Sequence, residues 1–286
     1  MHLEIADIPF DLDVPDDFKS VARHLFCQFI SRLDQQQRAS FSVIIGNEHC
    51  KTPDFAGLIS AGNISTFEQN DIVDEKCYYR FLVVSAQRRG LLILSHRSQS
   101  TVALIFSAFK WFFTFMVLQR GGLPLHSSSI IYKGKGFLFS GDSGKGKSTI
   151  SSLLTSNLSE IQFGSDELNV LYCKNNNLIL YSTPFHSSNG PGELEYQHHA
   201  EVDSVFFLEQ AALNRVEFLK RTQVFQYLLH NSYHIPADAL LTTSLLDTVE
   251  RFSEFTCFRL LHFINNKTIL TFFHTLTDGC HATENC

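Results

Sequence analysis

The stretch Gly136-Phe137-Leu138-Phe139-Ser140-Gly141-Asp142-Ser143-Gly144-Lys145-Gly146-Lys147-Ser148-Thr149-Ile150 decides how this chain is read. An apolar strand runs into Gly-x-x-x-x-Gly-Lys-Ser, and the helix-like run Thr149–Leu154 follows. Glycines in such a loop let successive backbone N–H groups turn inward around phosphate oxygens, and the helix start adds unpaired donors and the positive end of its dipole. Gly141, Asp142, Ser143, Gly144, Lys145, Gly146, Lys147, Ser148 and Thr149 are therefore expected to cradle a nucleotide, with ATP and Mg²⁺ as the cofactors. Lys147 would reach the β- and γ-phosphates, and Ser148 would offer its hydroxyl to the metal.

Working outward, Ser127–Tyr132 reads as a strand joined to Gly136–Ser140 by Lys133-Gly134-Lys135. A connection this tight makes the two strands antiparallel neighbours, because parallel strands need a crossover of a dozen or more residues. His126 then starts at the end of its strand opposite the turn, on the phosphate side. Downstream, Ser165-Asp166-Glu167 follows an apolar strand and places paired carboxylates 25 residues after Gly141. Neighbouring strand residues point to opposite faces, so only one carboxylate can face the phosphates unless the strand has ended by Ser165. Asp166 and Glu167 are the candidates for the magnesium side.

These residues, taken in order, resemble the HPr serine kinase/phosphorylases and their relatives, which share the phosphoenolpyruvate-carboxykinase-like nucleotide fold. The likeness rests on Leu125-His126-Ser127-Ser128, the hairpin with Gly134 and Gly136, the loop Gly141–Thr149, and Ser165-Asp166-Glu167. Ser182-Thr183-Pro184-Phe185 is similar to a segment of the smaller relatives often encoded with peptide-modifying cassettes, and Val202–Leu219 to the family's late strand and helix. The resemblance covers about Leu123–Leu219. It implies an α/β fold with mixed sheets and a hairpin before the loop. It also implies an ATP-dependent kinase in which Asp166 deprotonates an acceptor hydroxyl with His126 beside it. Ser148, Asp166 and Glu167 would attend the metal, and Lys147 the phosphates. The acceptor would be a serine of a peptide or protein, or a small serine-like molecule. Three departures set this chain apart from the bifunctional enzymes: Thr149 stands where they carry Glu, Glu167 replaces their second Asp, and their Arg-containing glycine-rich loop has no match. HPr itself is not the expected acceptor. Alternatives from other classes are an ATPase switch and a non-catalytic nucleotide-binding module.

The rest of the chain sets bounds. With 286 residues, 44% apolar composition and a net charge of −6, it is globular and lacks the clustered Lys and Arg of a nucleic-acid binder. The 27 Phe against one Trp indicate core filling, because Phe has no polar handle. Seven scattered cysteines without a Cys-x-x-Cys pair fit a reducing compartment. No secretory pattern opens the chain, so a cytoplasmic location is expected. Val102–Leu118 is apolar enough to suggest a membrane span, but Lys110 sits at its centre, where a charge costs about 2.5–3.5 kcal/mol. It reads as a buried helix, with no membrane partner.

The expected organisation is a mixed amino-terminal region over 1–100 for recognition of a substrate or partner, a connecting helix over 101–122, and a nucleotide-binding catalytic domain over 123–286. A homo-oligomer is allowed. In the first region, Asp16–Arg32 carries Phe18, Val21, Leu25, Phe29 and Ile30 at helical spacing. Phe41–Gly46, Tyr78–Ala86 and Leu91–His96 read as strands, the last two joined by a turn at Arg88-Arg89-Gly90. The polar stretch Pro184–Ala200, with His186, His198 and His199, reads as a lid or acceptor-binding loop. His274, Cys280, His281 and Cys286 read as a frayed tail.

Overall fold

The computed structural model describes residues 1–31, 38–46, 64–73, 77–84, 87–99, 101–186, 199–233 and 239–279. The chain divides into two compact units, Met1–Arg120 with His234–Thr242, and Gly121–Tyr233 with Thr243–Cys286. Both are mixed α/β.

The first unit contains β1 (His2–Ile5), β2 (Ile8–Asp13), α1 (Asp16–Leu25), β3 (Ala39–Ile45), β4 (Ile64–Val73), β5 (Cys77–Val84), β6 (Arg89–Leu94) and α2 (Thr101–Gln119). The strands form one mixed sheet in the order β1-β2-β3-β6-β5-β4. β5 and β6 are antiparallel neighbours, as the expected turn requires, but Arg89 and Gly90 are not in that turn; they belong to β6, opposite Val84 and Val83. Helix α1, however, ends at Leu25, well short of Arg32. A single 3₁₀ turn follows over Cys27–Phe29, and Ile30 then bridges Leu3 of β1. Pairing with β1 captures the chain there, and the Ser31 N–H donates to His2 O. The buried stripe is Ala22, Phe26 and Phe29, whereas Val21, Leu25 and Ile30 stay exposed.

Helix α2 is long and apolar enough to cross a membrane, yet over half of it is buried within the protein. Phe109 and Phe112 form edge-on and tilted ring contacts with Phe10 of β2 and Phe41 of β3, at centroid separations of 5.4–5.9 Å. Lys110 and Trp111 lie on the more exposed side, so the central charge that would oppose membrane insertion stays hydrated. At Gly90 an added Cβ would come within 2.8 Å of the Phe112 ring, which shows how closely the helix seats on the sheet.

The second unit contains β7 (Leu123–Tyr132), β8 (Lys135–Ser140), α3 (Lys147–Asn157), β9 (Ile161–Phe163), β10 (Leu168–Lys174), β11 (Asn177–Ser182), β12 (His199–Gln210), β13 (Arg215–Phe218), α4 (Arg221–Asn231), α5 (Ala239–Phe252) from Thr243 onward, β14 (Phe258–Phe263) and α6 (Thr268–Gly279). The β7–β8 hairpin turns through Lys133 (φ 49°) and Gly134 (φ 76°), and the β10–β11 hairpin through Asn175 and Asn176 (φ 51° and 63°). These are two-residue turns with both residues left-handed, the geometry that matches strand twist.

Strand β8 is parallel to β12, and β12 is parallel to β14. Because β11 also pairs with β12 through Ile179–Tyr181, strands β11-β10-β7-β8-β12 close into a ring. Phe139, Ile150, Leu154, Phe206, Leu208, Leu261, Phe263 and Phe273 pack with α3 and α6 as a core.

Two expectations are corrected in this unit. Val202–Leu219 is not a strand and a helix but β12 and β13, and the next helix starts at Arg221. His274 is not in a frayed tail; it lies in α6, edge-on to Tyr132. Cys280, His281, Cys286 and most of the expected lid, including His198, lie outside the described residues. Among the described cysteines, Cys27, Cys173 and Cys257 are free thiols, and burial pushes the Cys257 thiol up to about 12.

Removing the Phe112 ring should destabilise the first unit. Phe112→Ala is expected to cost about 3–5 kcal/mol, read in urea titrations by the fluorescence of Trp111, the chain's one tryptophan. A cost under about 1 kcal/mol would show that the phenylalanine cluster is not that unit's core.

Candidate functional site

The glycine-rich loop leaves the end of β8 and enters α3. Gly141, Gly144 and Gly146 all have positive φ, at 148°, 81° and 101°. At Gly146 the requirement is double, because a Cβ there would also come within 2.6 Å of the Phe263 ring. Gly146 is the helix N-cap and brings no capping side chain, so the first-turn N–H groups have no side-chain acceptor. Ser148 and Thr149 are exposed at this helix start, as are Asp142 and Ser143 in the loop.

Lys147 behaves differently from its neighbours. Its side chain is buried and folds back so that Nζ donates to the Gly141 and Asp142 carbonyls at 2.8 and 3.1 Å. Among the described residues it makes no ion pair. Burial pushes the ammonium below the usual lysine range, and the negative charges of Glu167 and Asp142 partly oppose this. A largely desolvated cation satisfied by backbone dipoles is well suited to meeting an incoming anion.

Strand β7 fastens this loop to the acidic pair. Its three consecutive serines are buried and alternate between faces. Ser128 donates to the Lys147 carbonyl (2.7 Å), and Ser151 of α3 donates to Ser128 (2.6 Å). On the other face Ser129 donates to Asn169 Oδ1 (2.6 Å), while Asn169 Nδ2 donates to the Ser127 carbonyl and hydroxyl at 2.8 and 3.0 Å. The Ser165 N–H donates to Ser129 Oγ, and the Ser165 hydroxyl donates to the Phe185 carbonyl. Gly164 lets the chain pass over β7, since a Cβ there would lie 2.2 Å from Ser129 Oγ.

This bracing decides where the carboxylates sit. Asp166 and Glu167 fall in a bend between β9 and β10, so the alternation of a strand does not separate them. Asp166 is 4% exposed, with His186 Nδ1 3.6 Å from its Oδ1. Glu167 is more open: its Oε2 lies 3.6 Å from His126 Nε2, and its Oε1 accepts from the Tyr233 hydroxyl. Burial, and then the hydrogen bond to Glu167 and its charge, push the Tyr233 hydroxyl far above the usual tyrosine range. His126, opposite Leu168 on β7, thus stands beside the acidic pair, at Glu167.

Reading the sequence missed four contributors: Asn169, Tyr233, His186 as the neighbour of Asp166, and His230. His230 of α4 donates from Nε2 to Asp142 Oδ1 at 2.7 Å. Asn169 carried the one available signal, an uncharged polar residue inside an apolar strand. His230 and Tyr233 lie 88 and 66 residues from their partners, and no local pattern announces them.

A mixed-sheet α/β protein with a glycine-rich loop between strand and helix, facing a braced acidic pair, is thus the class that fold and site define. The chain belongs to the family described as "ScmC: SynChlorMet cassette protein ScmC", whose model matches residues 94–245. Among solved structures, it is similar to the Hpr(Ser) kinase/phosphatase from Coxiella burnetii, with 15% identity and a TM-score of 0.32 over 55% of this chain and 95% of that one. No curated protein matches it at a significant level.

The His230 contact makes a pH prediction. The hydrogen bond from His230 holds the Asp142 carboxyl below its ordinary value of 3.8, more than burial raises it. A folded-state value below the unfolded one contributes stability above the ordinary aspartate range, lost as pH falls through the depressed value. His230→Gln should move the Asp142 midpoint up toward 3.8 in a carboxyl ¹³C NMR titration. An unmoved midpoint would show that the pair does not form.

Proposed function

We propose that the protein is an ATP- and Mg²⁺-dependent phosphotransferase that moves the γ-phosphate to a hydroxyl. The acceptor is a serine of a peptide or protein, or a small serine-like molecule. The observation that carries this reading is the buried ammonium of Lys147, held by two loop carbonyls inside a loop of left-handed glycines at a helix start without a side-chain cap. Positive charge and inward N–H donors there suit a polyphosphate.

The residues present also fit the metal. Among the described residues no three His, Cys, Asp or Glu side chains form a cage of their own. Mg²⁺ characteristically needs only one or two carboxylates beside substrate phosphates and water. The exposed Ser148 hydroxyl, the partly open Glu167 and Asp166 are the donors of that kind. When bound, the metal would neutralise the charge that builds on the phosphates.

In the transfer itself, the acceptor oxygen forms a bond to the γ-phosphorus as the bond to the β–γ bridging oxygen breaks and ADP departs. Asp166 takes the hydroxyl proton, with His186 beside it. Lys147 meets negative charge on the phosphates, and the serine and asparagine bracing keeps Asp166 in place while this happens. Positioning and charge neutralisation supply most of the acceleration in such reactions. The fold supports the wider likeness to the phosphoenolpyruvate-carboxykinase-like proteins through the β7–β8 hairpin that feeds the loop. The family's description as a cassette protein supports seeking the acceptor in a peptide encoded alongside it.

The deciding experiment supplies γ-labelled ATP and Mg²⁺ with that peptide, free serine or HPr. Label is expected on the peptide or on serine. Release of all label as inorganic phosphate would instead identify a hydrolase. Asp166→Asn should lower transfer by about 10²–10⁴ while leaving ATP binding within about threefold, whereas Lys147→Ala should weaken both. Transfer by Asp166→Asn at the wild-type rate would remove the base from Asp166.

A further inference from the structure

One segment touches both sides of the site, and the mechanism above gives it no task. Helix α4 ends at Asn231, so His230 and Tyr233 flank its carboxyl terminus. His230 reaches Asp142 in the glycine loop, and three residues later the Tyr233 hydroxyl donates to Glu167 Oε1.

The backbone between them is fastened to the strand that carries His126. Ser232 bridges Leu125, the Tyr233 N–H donates to the Pro124 carbonyl at 2.9 Å, and the Ser232 hydroxyl caps the Leu228 carbonyl. The rings of His126 and Tyr233 lie 5.6 Å apart. The two oxygens of Glu167 therefore have different neighbours, Tyr233 at Oε1 and His126 near Oε2.

A glutamate side chain with three rotatable bonds does not keep one orientation on a half-open surface without help. Here a hydroxyl donor, fixed through its own backbone to β7, selects that orientation. Hydrogen bonds to charged acceptors are the stronger kind. A carboxylate ordered in advance binds a cation without the cost of being ordered by it.

We propose that Tyr233 is the positioning residue for Glu167, clamping one carboxylate oxygen so that the side chain is ready for a divalent metal when nucleotide is bound. This inference rests on the phosphotransferase reading and deepens it. Tyr233 touches neither phosphate nor acceptor in this role; it acts through Glu167.

The test uses Mn²⁺, followed by electron paramagnetic resonance, with ADP on the full chain. Wild type, Tyr233→Phe, Glu167→Gln and the double variant form a cycle. Tyr233→Phe should weaken Mn²⁺ binding about tenfold, the scale of a hydrogen bond to a charged group. Affinity for ADP in EDTA should stay within about twofold. In the Glu167→Gln background the same substitution should add less than about twofold.

Equal weakening in both backgrounds, a Tyr233→Phe chain that does not fold, or unchanged Mn²⁺ affinity in that variant would each overturn the inference, leaving the phosphotransferase reading standing. A wild-type chain that binds neither ADP nor Mn²⁺ with ADP would overturn both together.

Discussion

Strand β7 is a polar girder inside an apolar sheet, and the site depends on its three serines. Burying Ser127, Ser128 and Ser129 would be costly if their hydroxyls lacked partners. Each finds one, and the alternation of side chains along a strand sends those partners in opposite directions. Ser128 holds the first turn of α3, where Lys147 sits, while Ser127 and Ser129 meet Asn169. The loop and the acidic bend are thus tied to opposite faces of the same few residues. A polar network of this kind fixes a unique geometry only when every member is satisfied, and here the amide of Asn169 supplies both acceptor and donors.

Against that rigid frame, charge is distributed unevenly. The chain carries a net charge of −6, yet four lysines and a single acidic residue lie within 133–147. Two of the four differ sharply in setting: Lys135 pairs with Glu201 at 3.1 Å in the open, whereas Lys147 is buried and satisfied by carbonyls. The first is screened by water and contributes little. The second sits where the dielectric is low and each nearby charge counts for more. Bulk composition describes solubility, and it conceals this local contrast.

How much the sequence disclosed depended on how local each cause was. The glycine loop, its flanking strand and helix, the β7–β8 hairpin and the apolar α2 were legible, because each follows from residues a few positions apart. Helical spacing continues past Leu25, but the helix gives way to a 3₁₀ turn and then to the distant pairing of Ile30 with Leu3. The helix that the resemblance implied at the end of Val202–Leu219 is instead a strand, because β13 gains a ladder with β14. Asp166 and Glu167 were recognisable as a pair, but the bend that lets both serve one region depends on Gly164 crossing over Ser129. Their neighbours His186 and Tyr233 are set by tertiary contact, which no single-sequence pattern encodes.

The ring of strands has a consequence for the life of this protein among others. An open sheet offers a row of unpaired N–H and C=O groups to any passing chain, and such edges seed aggregation. Contact between β11 and β12 joins what would be one such edge to the body of the sheet, leaving β13 as an outer strand. That strand is only four residues long, and its alternate positions carry Arg215 and Glu217, paired at 2.7 Å. Its last residue, Phe218, is exposed but lies beneath the Arg259 guanidinium, 4.9 Å from the ring centroid. Short length and charge make this border a poor template for another chain, so the sheet that assembles the site also limits its own growth.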